Sequence, residues 1–461
     1  MNIISLIIIG LVSFLTGIAL LNLKWGLCSF FALEILLPNS AQFAIGRFSI
    51  PVEFIMIILF FIIFLINGKY KNPLIKLPVK YKFYIILYIT TSCIFSFFSN
   101  FSLFEQLKNV FRFAVQNVLS AYMLFSVIQN NKDIKLFLNI VFWATIVACI
   151  YGLFTYITKS NPYVESINSA LGMDKGHGIT FDFINEERGI INGRIMATMV
   201  HPLQWGQALT CIFSILIIFH ELKIFVINKV FFTSGMLLIA SNIFLSGSRA
   251  ALVAFIIFLF FAFFYMPTKK KLKYVSYILL LAVFLIFIIP KRTTEAFINT
   301  TTASIIFWDN SYSDAIGIGG SSATMRLLQL YGTFEKVSKN PLFGLGKGYI
   351  IDEFKKDKGS GEMFGYESVF FYKVVEEGVL GLFFFLLAYY MIYAETIKKI
   401  NQAKEILQYK SLIRGFYLSY LISILLTGIQ GTFILFCLLA TIITTFVLIH
   451  NTKTNNELIN E

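Results

Sequence analysis

The chain has 461 residues, 57% hydrophobic and only 14% charged, with 38 Lys and Arg against 25 Asp and Glu for a net charge of +13. Soluble proteins hold their apolar share near about 45–50% because their rim must be polar, so a soluble enzyme and a disordered chain are excluded and an integral membrane protein is predicted. A single-span receptor is excluded because apolar runs fill the length, and an outer-membrane β-barrel because the runs are unbroken rather than alternating.

Apolar runs predict membrane helices at 3–21, 25–38, 51–66, 82–99, 109–128, 134–158, 200–219, 229–246, 249–266, 273–290, 367–393, 411–428 and 431–449. The second run is short, about 21 Å at 1.5 Å per residue, which makes it re-entrant or tilted against the first. The expected fold is all-α, a polytopic transmembrane bundle of about 12–13 spans. Lysines orient it. Lys69, Lys71, Lys76 and Lys80 share one loop, Lys132 and Lys135 another, Lys223 and Lys229 a third. Lys269, Lys270, Lys271 and Lys273 mark a fourth, and Lys398, Lys399, Lys404 and Lys410 a fifth. These alternate with the less densely basic stretches 100–108, 159–199, 247–248, 291–366 and 429–430. The positive-inside rule therefore puts the basic set and the C-terminus in the cytoplasm, and the two long segments outside. The organisation read from this is N-terminal helices in 1–158, a first outer segment 159–199, helices in 200–290, a large outer catalytic segment 291–366, and C-terminal helices in 367–461. The positive charge is a topology signal, and nucleic acid is not an expected partner.

Cys28, Cys93, Cys149, Cys211 and Cys437 all fall in apolar runs and read as small core residues. His177, His201, His220 and His450 form no metal-binding pattern, so no metal and no cofactor is expected. The N-terminus lacks the basic region of a cleavable signal peptide. Within the large outer segment, the stretch from Ser322 to Lys339 has helical spacing, with Ser321 or Ser322 as cap and Asn340-Pro341 as stop. Its Met325, Leu328, Phe334 and Val337 are apolar, while Arg326, Gln329, Thr333 and Lys336 make a polar stripe, which predicts an amphipathic helix on the outer surface.

Charges beside apolar spans are costly, so each is a functional candidate. Arg249 follows the small residues Ser246-Gly247-Ser248 in a turn with almost no loop; it either serves a site or snorkels to anchor a helix end. Arg326 either serves a site from the polar stripe or is a solvated charge. Arg194 opens the stretch leading to His201-Pro202, where His201 is a site residue or a polar group satisfied by a helix start. Arg112 is a weaker candidate. Glu367 stands at a helix N-terminus, where a carboxylate also suits the dipole. Glu376 and Glu377 lie deeper in the same span, so at least one must be paired or lie in a wet cavity, with Gly378 and Gly381 serving close helix packing. Gly344-Leu345-Gly346-Lys347-Gly348 lacks the spacing of a phosphate loop.

Taken in order, residues from about 190 to 395 resemble the O-antigen ligase and polymerase family of bacterial membrane glycosyltransferases. The resemblance lies in Arg194 through His201-Pro202, in Ser246-Gly247-Ser248-Arg249-Ala250-Ala251-Leu252, in Arg326 through Asn340-Pro341 to Gly348-Tyr349, and in Glu367 through Gly378-Val379-Leu380-Gly381. It implies a GT-C-like fold in the bacterial inner membrane and metal-independent transfer of a glycan from an undecaprenyl-diphosphate donor at the outer face. Arg249, Arg326 and Arg194 would bind the diphosphate, and Glu367, with His201 as the next candidate, would be the base. Lipopolysaccharide ligases carry a histidine where Glu367 stands, which favours a polymerase over a ligase. The implied partners are the lipid-linked donor and acceptor, the bilayer, and a chain-length regulator. A lipid-linked oligosaccharide flippase is the rival from another class; it would show midplane charges and repeated halves, and the sequence shows neither.

Overall fold

The computed structural model describes residues 3–38, 41–45, 48–70, 76–99, 101–170, 187–188, 191–265, 271, 322–356, 368–428 and 431–460. The expected run 273–290, the polar stretch before Ser322, and Glu367 lie outside them.

The first described helices are α1 (Ile3–Leu21), α2 (Leu23–Leu36), α3 (Val52–Ile66), α4 (Val79–Phe95), α5 (Leu103–Phe113), α6 (Ser120–Val127) and α7 (Asn131–Thr158), which fall on apolar runs, and α8 (Pro162–Ala170), which lies in the segment 159–199. After them come α9 (Pro202–Glu221), α10 (Lys229–Leu245), α11 (Arg249–Tyr265), α12 (Ser322–Ser338), α13 (Tyr349–Lys356), α14 (Val369–Gln402), α15 (Lys410–Leu426) and α16 (Phe433–Asn460). Among the described residues, six helical stretches are long and apolar enough to cross a membrane: 79–98, 103–127, 131–158, 202–221, 369–402 and 433–451. Four shorter apolar helices join them. The protein is an all-α polytopic membrane bundle.

Two departures from a purely helical chain are small. Gln42–Ile45 (β1) pairs antiparallel with Phe48–Pro51 (β2), and Glu187–Arg188 (β3) with Ile191–Asn192 (β4). Between α5 and α6 the span widens into a π-helical stretch, Ala114–Leu119. Polar side chains stabilise the ends of several spans. Asn22, Asn130, Asn228 and Ser368 each accept a backbone N–H of the following first turn, replacing one of the four partners a helix start lacks.

The short α2 packs along α7 and is tied to its neighbours at both ends. At its start, Lys24 Nζ lies 2.5 Å from Asp133, in the first turn of α7. At its end, the Leu36 carbonyl accepts the Tyr163 hydroxyl, just past α7, at 2.8 Å, and the Ile35 carbonyl accepts Thr198 Oγ1 at 2.6 Å. Most of α2 is enclosed by protein. Against α1 it packs through Gly26, where a Cβ would stand 2.5 Å from Ala19 Cβ.

These contacts define two ends. The end holding Tyr163, Thr198, the start of α9 and the α10–α11 turn is called upper. The lower end holds Lys24–Asp133, the Tyr265 hydroxyl donating to Glu221 at 3.2 Å, and the Glu405–His450 pair. The core runs between them, centred on α9, whose Trp205, Ile212, Ile215 and Phe219 are fully enclosed.

Candidate functional site

Three of the expected residues gather at the upper end around α9 and the α10–α11 turn. Gly247 takes φ +61°, a conformation open to glycine, and its missing side chain leaves room for the Arg194 stem, 3.2 Å from where a Cβ would be. Arg194 is only 2% exposed; its Nε donates to the Ser246 carbonyl at 3.0 Å, and Ile195 N donates to Leu245 O at 3.0 Å. Gly206 of α9 brings a second backbone against the turn, where a Cβ would meet Ser246 Oγ at 2.7 Å and Ala251 at 2.8 Å. Ser248 Oγ then accepts Ala251 N at 3.2 Å, capping α11. The small residues of this turn therefore let three chains meet and set Arg249, half-buried, at the first position of α11.

His201 is the N-cap of α9, with Pro202 in the first turn, and its Nδ1 accepts Leu203 N at 3.0 Å. With Nδ1 accepting, the neutral imidazole carries its proton on Nε2. In this geometry Nδ1 would have to surrender its cap to act as a base. Arg112 donates through Nε to Gln116 at 3.2 Å, and Gln116, in the π-helical stretch, donates to Glu53 of α3. That chain ties α5 to α3.

Arg326 lies in α12, which spans Ser322–Ser338 as the spacing predicts. The orientation of the helix differs from the expected one. Gln329 and Thr333, of the polar stripe, are 2% and 4% exposed, whereas Tyr331 and Phe334 stand out at 73% and 67%. Gln329 and Thr333 of the stripe therefore face the protein. Arg326 occupies the position one turn before Gln329 on that stripe. Apolar support comes from Val337, which packs with Ile350 of α13 and Val375 of α14 in a small core of its own. Polar support comes from Lys336, 3.8 Å from Glu353.

The least expected feature lies where the segment after α12 meets α14. The helix breaks at Gly378, with φ 70° and ψ −177°. Freed backbone groups on both sides of the break pair with the loop 340–348. Leu345 N donates to Val375 O at 2.8 Å and Gly346 N to Glu376 O at 3.0 Å, while Val379 N donates to Pro341 O at 2.9 Å and Leu380 N to Leu342 O at 3.3 Å. Gly344, at φ +76°, and Gly378 pass so closely that a Cβ on either would overlap the other chain. Gly378 thus serves a backbone conformation rather than the helix packing expected of it.

Inside this junction sits a charge cluster. Glu377 is paired, as an acid at this depth must be: Lys373 Nζ lies 2.6 Å and Lys347 Nζ 3.2 Å from its Oε1. Its Oε2 accepts the Tyr88 hydroxyl and Ser92 Oγ, each at 3.1 Å. Lys373 also donates to the Tyr88 hydroxyl at 2.5 Å. Phe113 faces both ammoniums at 5.0 and 5.5 Å, and Phe385 faces Lys373 at 5.3 Å. Lys347 and Lys373 were not among the residues singled out from sequence. The available signal was Lys373–Glu377 at i,i+4 in an otherwise apolar span, since a lysine there needs a partner within reach.

The loop, α14 and the α9 region meet at the same upper end. Asn340 Nδ2 donates to Phe98 O at 2.9 Å at the top of α4, Val369 N to Thr427 O at 3.0 Å, and Thr432 Oγ1 to Gln207 of α9 at 2.5 Å. Among the described residues, no three His, Cys, Asp or Glu side chains group as a metal would require.

Arg194, Arg249 and the capping His201 thus lie at one end of a polytopic helical membrane protein. Residues 234–386, from α10 to the middle of α14, match the family model described as O-Antigen ligase. Over this stretch, about a third of its length, the chain is similar to the O-antigen ligase family. The matched stretch contains the Arg249 turn, the Arg326 helix, the loop and the broken helix; Arg194 and His201 precede it. No curated protein matches the chain.

Proposed function

We propose that this protein polymerises undecaprenyl-diphosphate-linked oligosaccharide repeat units into a surface polysaccharide, with its upper end on the outer face of the bacterial inner membrane. The observation that carries the reading is the inward turn of the α12 polar stripe within the matched domain. Gln329 and Thr333 are buried on that stripe, and Arg326, one turn earlier in the sequence of the same stripe, is taken to act with Arg249. Two guanidiniums can take a diphosphate bidentately and stabilise the charge that develops on the leaving group as the glycosidic bond breaks. Arg194 contributes through the turn it holds. Glu367 takes the proton of the attacking sugar hydroxyl, with His201 the next candidate for that role. The prenyl chain stays in the bilayer beside the bundle. No metal takes part in this scheme.

A second reading, transfer of the finished glycan onto lipid A–core as a ligase, is favoured by the description of the matched family model itself. Glu367, where such ligases carry histidine, favours polymerisation. Deleting the gene and resolving the surface glycan separates the two. Cells that keep one capped repeat unit lack a polymerase; cells that lose every polymer band lack a ligase. An unchanged glycan profile would remove both.

A further inference from the structure

We propose that Lys347 is a positioning residue: with Glu377 and Lys373 it latches the loop 340–348 into the break of α14 and so holds Arg326 in register with the rest of the site. The part of this that concerns Arg326 rests on the reading given under Proposed function; the latch itself does not.

The argument starts from the chain path. Only Lys339 lies between the end of α12 and the loop, so wherever the loop is held, the C-terminal end of α12 is held too. Four backbone hydrogen bonds join the loop to α14 on the two sides of Gly378. In a membrane-embedded helix such a break survives only where neighbouring protein satisfies the freed groups, so loop and break require each other. Phe343 adds a stacked contact with Phe98 at 4.6 Å. The ion cluster then decides the register. Lys347 leaves the loop between Gly346 and Gly348, both at positive φ, and reaches inward to Glu377. Glu377 simultaneously holds Lys373 of its own helix and Tyr88 and Ser92 of α4. One carboxylate thereby joins three separate stretches of chain.

A catalytic role for Glu377 fits less well. It is 3% exposed, and both its oxygens are engaged. Lys347 is the informative position because its loss leaves Glu377 still balanced by Lys373. The bundle keeps its charge pairing, and the damage falls on the loop.

The test uses the full-length protein with its native cysteines replaced and Leu345→Cys introduced. Leu345 is half-buried against the small core of Val337, Ile350 and Val375. With Lys347 intact, that thiol should react slowly with a maleimide. Lys347→Met should raise the labelling rate about tenfold, the size expected when one charge-assisted contact is lost, and Lys347→Arg should return it toward the starting rate. Transfer from a lipid-linked repeat unit, measured without the cysteine, should fall about tenfold in Lys347→Met. In an Arg326→Ala background the same change should add less than about twofold, because residues that act through one another are not additive. Unchanged labelling with reduced transfer would mean that Lys347 meets the substrate itself and would overturn the latch. So would multiplying effects of Lys347→Met and Arg326→Ala. If Arg326→Ala transfers normally while the labelling responds as expected, the latch stands and the role assigned to Arg326 falls.

Discussion

Replacing Gly378 with alanine tests the junction at its tightest point. The backbone there, φ 70° and ψ −177°, lies in a region essentially reserved for glycine, and forcing an L-residue into it costs about 1–3 kcal/mol. The added Cβ would stand 2.2 Å from the Leu342 oxygen, 2.4 Å from its carbonyl carbon and 2.6 Å from Phe343 N. Those are backbone atoms, so the loop must retreat by about 1 Å to reach ordinary contact. Such a retreat breaks the bonds from Val379 N to Pro341 O and from Leu380 N to Leu342 O, worth about 1 kcal/mol each. The sum is about 3–5 kcal/mol against the docked loop. Alanine also favours a continuous helix, so the variant should straighten α14 and release the loop rather than unfold the bundle. Hydrogen exchange on the purified protein reads this directly. Protection of the Leu345 and Gly346 amides should fall about 10²-fold or more, while α9 exchange stays slow. Wild-type protection at both amides in Gly378→Ala would refute the account of the break.

Arg249→Ala and Arg326→Ala should each slow glycan transfer about tenfold to a hundredfold, since a charge-assisted contact is worth about 1.5–3 kcal/mol. Arg→Lys should recover only part, because it keeps the charge and loses the fork; normal polymer from well-expressed alanine variants would leave both as membrane anchors. Glu367→Gln should cost about 10²–10⁴-fold in rate if Glu367 is the base, with Glu367→Asp partly active. Polymer of normal length and yield from Gln would make Glu367 a helix cap. Cysteines placed at Ser169 and Ser313 in a background lacking the native five should react with an impermeant thiol reagent in intact spheroplasts. Labelling only after lysis would reverse the proposed orientation.

The helices were readable because membrane spans announce themselves by composition: the runs at 134–158 and 229–246 became Asn131–Thr158 and Lys229–Leu245 almost unchanged. The Arg249 turn was readable too, since Ser246-Gly247-Ser248 leaves no room for a loop. What the sequence could not display was which face of α12 turns inward. A stripe of Gln329 and Thr333 looks solvated when only spacing is known, yet both residues are buried. The break at Gly378 was hidden for a related reason. A glycine in an apolar helix suits close packing equally well, and only the loop from residues 340–348, more than thirty positions earlier, makes the unusual conformation necessary.

The outward side of α12 has its own consequence. With Gln329 and Thr333 facing the protein, Tyr331 and Phe334 are left on the opposite side, and Leu342 and Ile351 continue the apolar surface beyond the helix. Aromatic rings at the end of a membrane bundle partition into the headgroup region. Held to the bundle by its own chain, the arginine helix is expected to meet the lipid interface through these side chains. Its depth should then follow the thickness of the host bilayer. Transfer measured in thin micelles and in vesicles of increasing acyl length should differ even when the fold does not.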